Sequence, residues 1–189
     1  MARWEPNARE RLEHSSLELF TERGYDQTTV AEIAERAGLT KRTFFRYFED
    51  KREVLFGGQE LLDRLFTEGI TGAPEAATPL TAVGGGLNTV AAVFDAQRWK
   101  LARKRQVIVA GHRDLREREL LKGTRLVESM RVALRARGVP DTTAKLASTV
   151  GSLAFGAAFE RWIEDESADF AALAGHALDE LRKSAGELG

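Results

Sequence analysis

The chain has no cysteine in 189 residues, and only four prolines, two methionines and three histidines. The first absence excludes disulfides, thiolate metal sites and cysteine nucleophiles, and it makes the cytoplasm the expected compartment. Histidines as scattered as His14, His112 and His176 argue against a metal cage, and no cofactor is expected. Charge of one sign is lacking too: 28 Lys and Arg stand against 29 Asp and Glu, a net of −1. Taken whole, that balance argues against a generic polyanion binder, which carries a basic excess. The first residues, Met-Ala-Arg-Trp-Glu-Pro, contain no apolar stretch of the kind a signal peptide needs. The longest uncharged run, Ala76 to Phe94, is interrupted by Pro79, Asn88 and Gly84-Gly85-Gly86, so no membrane span is expected. Alternating apolar and polar runs are absent as well, which leaves no candidate for a sheet.

What remains is helical periodicity in a chain whose 43% hydrophobic and 30% charged residues are those of an ordinary globular protein. The fold class predicted is all-α. A first helix starts at Asn7, with Glu10 completing a cap, carries Leu12, Ser16, Leu19 and Phe20 on one face, and ends at Gly24. Thr29-x-x-Glu32 is a capping box opening a second helix that buries Val30, Ile33, Ala34 and Ala37 and stops at Gly38. Thr40 caps a short third helix with Phe44 and Phe48 inward and Lys41, Arg42, Thr43 and Arg46 outward. Asp50-Lys51-Arg52-Glu53 reads as a further capping box opening a long fourth helix through Leu55, Leu61, Leu62, Leu65 and Phe66. Five more helices are predicted over 79–95, 96–110, 113–137, 141–164 and 168–185.

Two helices joined by the short Gly-containing turn at Gly38-Leu39 make a helix-turn-helix, whose second helix lies in the major groove of DNA. The charge, resolved along the chain, supports this. Residues 1–35 hold 4 cations against 8 anions, residues 36–52 hold 6 against 2, and the remainder holds 18 against 19. Lys41, Arg42, Arg46 and Lys51 suit phosphate, and Lys41 or Arg42 could instead read guanine O6 and N7.

The ordered residues Leu19-Phe20, Gly24-Tyr25, Thr28-Thr29-Val30, Ile33-Ala34, Ala37-Gly38-Leu39-Thr40, Thr43 to Phe48, Lys51 and Leu55 resemble the N-terminal domain of TetR-family transcriptional regulators. The resemblance implies a ligand-responsive homodimer, usually a repressor, that binds an inverted-repeat operator in double-stranded DNA. A domain of residues 1–55 would read DNA, and a domain of residues 56–189 would hold a small-molecule effector and form the dimer through its last two helices. Carried over by position, Thr29 and Lys51 clamp phosphates, while Thr40, Lys41, Arg42, Thr43, Phe45 and Tyr47 face the groove; Arg46 is a further candidate for DNA contact from its outward position. The family most often has Tyr at the position of Phe45, which leaves Phe45 only apolar contact to sugar or a thymine methyl.

In the remainder, Leu146, Val150, Leu153 and Ala157 form one stripe of the eighth helix and Phe155, Phe159 and Trp162 another, so that helix needs covering on two sides. With Phe170, Leu173, Ala174, Ala177, Leu178 and Leu181 of the last helix, the first stripe forms the expected dimer interface, to which Gly151 and Gly156 allow close approach. Phe94, Trp99, Phe155, Phe159 and Trp162 are the candidate effector pocket. Gly57-Gly58 is a candidate soft joint. Gly84-Gly85-Gly86 lacks the Lys-Ser/Thr of a phosphate loop and suggests close backbone packing or room for an effector. Arg98, Lys100, Arg103, Lys104 and Arg105 read as a solvated face. No catalytic set is recognisable, and an enzyme is not expected. The competing function is a helical protein-binding adaptor that no longer contacts DNA.

Overall fold

The computed structural model describes residues 7–187, so the initial residues used above to argue against a leader lie outside the described residues. Within that range the helices are α1 (Ala8–Arg23), α2 (Val30–Arg36), α3 (Lys41–Tyr47), α4 (Gln59–Thr71), α5 (Pro79–Ala91), α6 (Ala96–Gly111), α7 (Arg113–Ala136), α8 (Asp141–Glu164) and α9 (Phe170–Glu187), with a 3-10 turn at Glu53–Phe56. No strand occurs among the described residues, and none of their helices is long and apolar enough to cross a membrane. One prediction fails. The long fourth helix does not run from Asp50: Asp50 accepts from the backbone N–H of Arg52 and Glu53, a single 3-10 turn follows, and α4 begins only after Gly57-Gly58. Two consecutive glycines cost about 2 kcal/mol of helix propensity relative to alanine, and the break falls there.

The chain forms two compact units. The first takes the chain up to Gly58 and also Arg103–Glu119, whereas the break expected from sequence lay after residue 55 with nothing returning to it. The reason for the return is apolar: Ile108, Val109 and Leu115 are buried in the same core as Leu12, Leu19, Phe20, Ile33, Phe44 and Phe48. Polar contacts add to it. Arg105 donates to the Leu55 carbonyl at 2.6 Å and pairs with Glu119 at 2.7 Å, and Arg118 pairs with Glu53 at 2.6 Å. Arg105 is therefore a structural cation, while Lys100, Arg103 and Lys104 are exposed as expected.

The second unit comprises Gln59–Ala102 and the chain from Leu120 onward. Its centre is the crossing of α4 and α5, where a Cβ added to Gly69 would lie 2.6 Å from the Gly85 carbonyl oxygen. Close packing is thus the use of the triple glycine. Gly151 serves the same core and not a subunit interface, since a Cβ there would meet Val83 Cγ1 at 2.6 Å; Gly156 faces open space. On α9, Phe170, Ala174, Ala177 and Leu178 are buried in this unit's own core, and Leu173 and Leu181 are half-buried against it. A single apolar stripe, consumed by α5 and α8, leaves those four buried residues no area for a second subunit. On α8 the outer stripe remains uncovered: Leu146 is 65% exposed and Leu153 56%, with Val150 and Ala157 half-buried.

Candidate nucleic-acid interface

The geometry of the interface starts at the α2–α3 turn. Ala37 caps α2, and the chain then closes a Schellman motif, with the Gly38 N–H bonded to the Glu35 carbonyl at 2.9 Å and the Leu39 N–H to the Ala34 carbonyl at 2.8 Å. That motif requires a left-handed residue, and Gly38 has φ +64°. Thr40 follows as N-cap of α3, its hydroxyl accepting from the Thr43 N–H at 3.1 Å. Phe44 is fully buried and its ring lies 5.5 Å from that of Phe48, so one face of α3 is fixed to the core. The opposite face is then forced outward: Lys41, Arg42, Phe45 and Arg46 are exposed, Phe45 by 53%.

Six cations gave residues 36–52 their positive balance, and the structure sorts them. Arg36 is bidentate to Glu22 on α1, at 3.1 and 2.8 Å, and Arg52 donates to Asp50 at 2.9 Å. The Arg36 guanidinium holds the Glu22 carboxyl below its ordinary value, as expected for a carboxylate already committed. Lys51 is turned inward, its ammonium donating to the carbonyls of Tyr25, Asp26 and Thr28. Of the six, only Lys41, Arg42 and Arg46 face solvent without a carboxylate among the described residues. Arg46 lies over the Tyr47 ring at 5.0 Å and donates to its hydroxyl oxygen at 3.2 Å, which leaves the phenolic proton available to an external acceptor.

The residues expected to clamp phosphate are therefore the ones with internal partners. Thr29 completes its capping box, accepting from the Glu32 N–H at 3.3 Å while its own N–H and hydroxyl both reach the Glu32 carboxylate at 2.8 Å. These bonds, the backbone one first, hold the Glu32 carboxyl below its ordinary value. Sequence reasoning also gave no role to Tyr25, a buried ring between Phe20 at 5.1 Å and His112 at 4.9 Å. Burial pushes its hydroxyl strongly up. His112 is not a free polar residue: Nδ1 faces the Ile108 carbonyl at 2.7 Å and Nε2 lies 3.7 Å from Asp26. Only the Gly24-Tyr25 pair of the family pattern marked this spot in the sequence.

Residues 14–56, which contain this whole arrangement, match the model for bacterial regulatory proteins of the tetR family. This segment is a DNA-binding domain of the tetR-family type. Over 82 residues the chain is 38% identical to the HTH-type transcriptional regulator TcmR of Streptomyces glaucescens, a match spanning 43% of this chain and only 36% of that protein. It is 29% identical over 177 residues to MftR of Mycobacterium tuberculosis, assigned as a transcriptional regulator of mycofactocin biosynthesis, covering 87% of this chain and 84% of that one. Among solved structures it is similar to Thermus thermophilus FadR, a TetR-family repressor in complex with lauroyl-CoA. That likeness has a TM-score of 0.58 at 25% identity and covers 92% of each chain.

The effector residues expected from sequence come together, ring against ring. Phe94, Phe155, Phe159 and Trp162 pack ring against ring at 4.8 to 6.3 Å, joined by Phe170, which stacks on Phe94 at 3.9 Å. The Trp99 indole N–H donates to the Trp162 carbonyl at 2.8 Å. An open groove of about 680 Å³ lies elsewhere, between α4, α5 and α9, lined by Glu68, Leu80, Asn88, Leu178 and Arg182 among others.

Proposed function

We propose that this regulator binds an inverted-repeat operator as a homodimer, one α3 in each of two successive major grooves, and that a small-molecule effector releases it. The observation that carries this reading is the sorting of the six cations in residues 36–52. Three of them remain free, and all three project from the one helix whose other face is fixed to the core. Lys41, Arg42 and Arg46 meet phosphates or guanine edges. Thr40, Thr43 and Tyr47 offer hydroxyls, and Phe45 offers apolar contact to a thymine methyl. A second copy covers the outer stripe of α8, Leu146, Val150, Leu153 and Ala157, of which the chain itself leaves Leu146 and Leu153 exposed.

The effector reading rests on the aromatic cluster of the second unit. An apolar molecule entering it has to part rings now in contact, and it favours whichever conformation already has them apart. Lauroyl-CoA, bound by the Thermus relative, is the first probe. Repression is proposed in preference to activation because that relative is a repressor. The test is recovery of a duplex from a random-sequence pool by the full-length chain, followed by titration. The reading expects a palindromic duplex holding two chains, and its release by an apolar effector. A chain that enriches no duplex but captures a protein ligand would support the adaptor reading instead.

A further inference from the structure

We propose that Lys51 is a positioning residue for DNA recognition and not a phosphate ligand. The inference deepens the DNA-binding reading above and rests on it. An ammonium group has three N–H donors, and all three of Lys51 are spent on one short segment: the carbonyls of Tyr25 at 2.8 Å, Asp26 at 3.2 Å and Thr28 at 3.2 Å. The same nitrogen lies 4.4 Å from the centroid of the buried Tyr25 ring, so its charge is satisfied by a π-face as well. Binding a phosphate would require breaking one of these bonds.

The segment that Lys51 gathers joins α1 to α2. Besides the buried Tyr25 ring and the approach of His112 to Asp26 at 3.7 Å, its ties are hydrogen bonds of Thr28. The Thr28 N–H bonds the Tyr25 carbonyl at 3.3 Å, and the buried Thr28 hydroxyl donates to the Gly24 carbonyl at 2.8 Å. Three convergent carbonyls repel one another unless a cation sits among them, and a compact ammonium fits where a planar guanidinium does not. Thr29, the next residue, is the N-cap of α2, and α2 carries the turn into α3. Lys51 lies just beyond the other end of α3, so one side chain joins the entrance of the helix-turn-helix to its exit. Its charge holds the two free cations of the α3 start in register for their bases, without itself reaching DNA.

The experiment compares Lys51→Met, Lys51→Arg and, as reference, Lys41→Ala in the full-length chain. Affinity for the recovered duplex and for a random duplex of equal length is measured against salt, well below the unfolding temperature. The expected result is a loss of about tenfold or more for the recovered duplex in both Lys51 variants, the size that losing bonds to a charged group implies. Random-duplex affinity and the salt slope stay at wild-type values, whereas Lys41→Ala lowers the slope by about 0.9 for each phosphate it no longer neutralises. A slope that falls in Lys51→Met as it does in Lys41→Ala, or full affinity in Lys51→Arg, overturns the proposal. Hydrogen exchange of the Thr28 amide supplies an arm without DNA: at least tenfold faster exchange is expected in both variants, and unchanged protection overturns the proposal. That arm reads out even if no duplex is recovered, so failure of the DNA reading and failure of this proposal are separable. Lys51→Arg suffices if Lys51→Met does not fold.

Discussion

Phe44 and Phe45 are adjacent and have opposite surroundings, one fully buried and the other 53% exposed. Phe44→Ala is expected to destabilise the chain by about 3–5 kcal/mol, as for other buried aromatics, read by denaturant unfolding. Phe45→Ala is expected to change stability by less than about 0.5 kcal/mol while weakening binding to the recovered duplex. This contrast was legible in the sequence, because helical spacing alone puts Phe44 with Phe48 and turns Phe45 away. The fate of Lys51 was not legible: its three acceptors are backbone carbonyls 23 to 26 residues away, and carbonyls leave no trace in a residue pattern. The same holds for Arg36, whose carboxylate on α1 is 14 residues distant and lies outside any local pairing rule. Counting charge along the chain found the basic segment correctly but overstated the free charge on it.

At the scale of helices, capping boxes and glycines carry testable weight. The Glu32 carboxyl is held below its ordinary value by its bonds from Thr29, so its contribution is present above its unfolded value and is lost as pH falls through the lower folded value. Thermal midpoints should be level above about pH 5 and fall in more acid solution, with Glu32→Gln lowering the neutral-pH midpoint and flattening the acid limb. Gly69→Ala tests the α4–α5 crossing. Alanine favours a helix by about 1 kcal/mol, but a Cβ set 2.6 Å from a carbonyl oxygen forces two backbones apart, so a net loss of about 1–3 kcal/mol is expected. Gly123→Ala, with nothing within 4 Å of its added Cβ, should instead stabilise by about 0.5–1 kcal/mol. Helix limits were largely readable from caps and period; the break at Gly57-Gly58 was missed because the Asp50 cap was taken to start a helix that extends only one 3-10 turn.

For the whole molecule, a family resemblance carried by the first 55 residues predicted an organisation that residue patterns in the rest could not locate. Periodicity gave α8 two apolar stripes, of which the structure leaves Leu146 and Leu153 exposed; it did not tell that α9 spends its stripe inside its own chain. Nor did it reveal that Arg103–Glu119 packs with the first unit, since that depends on residues far apart in sequence. If a second copy covers α8, Leu146→Asp with Leu153→Asp should give monomers by light scattering at concentrations where the wild type is dimeric, with thermal stability little changed. The most direct test of the account is the salt dependence of duplex binding in the wild type and in Lys41→Ala/Arg42→Ala. Three free cations on each of two chains predict a slope of log affinity on log salt near −5 where each meets a phosphate, falling to about −2 in the double variant. A double variant with unchanged affinity and slope would contradict the assignment of α3 as the DNA-reading helix.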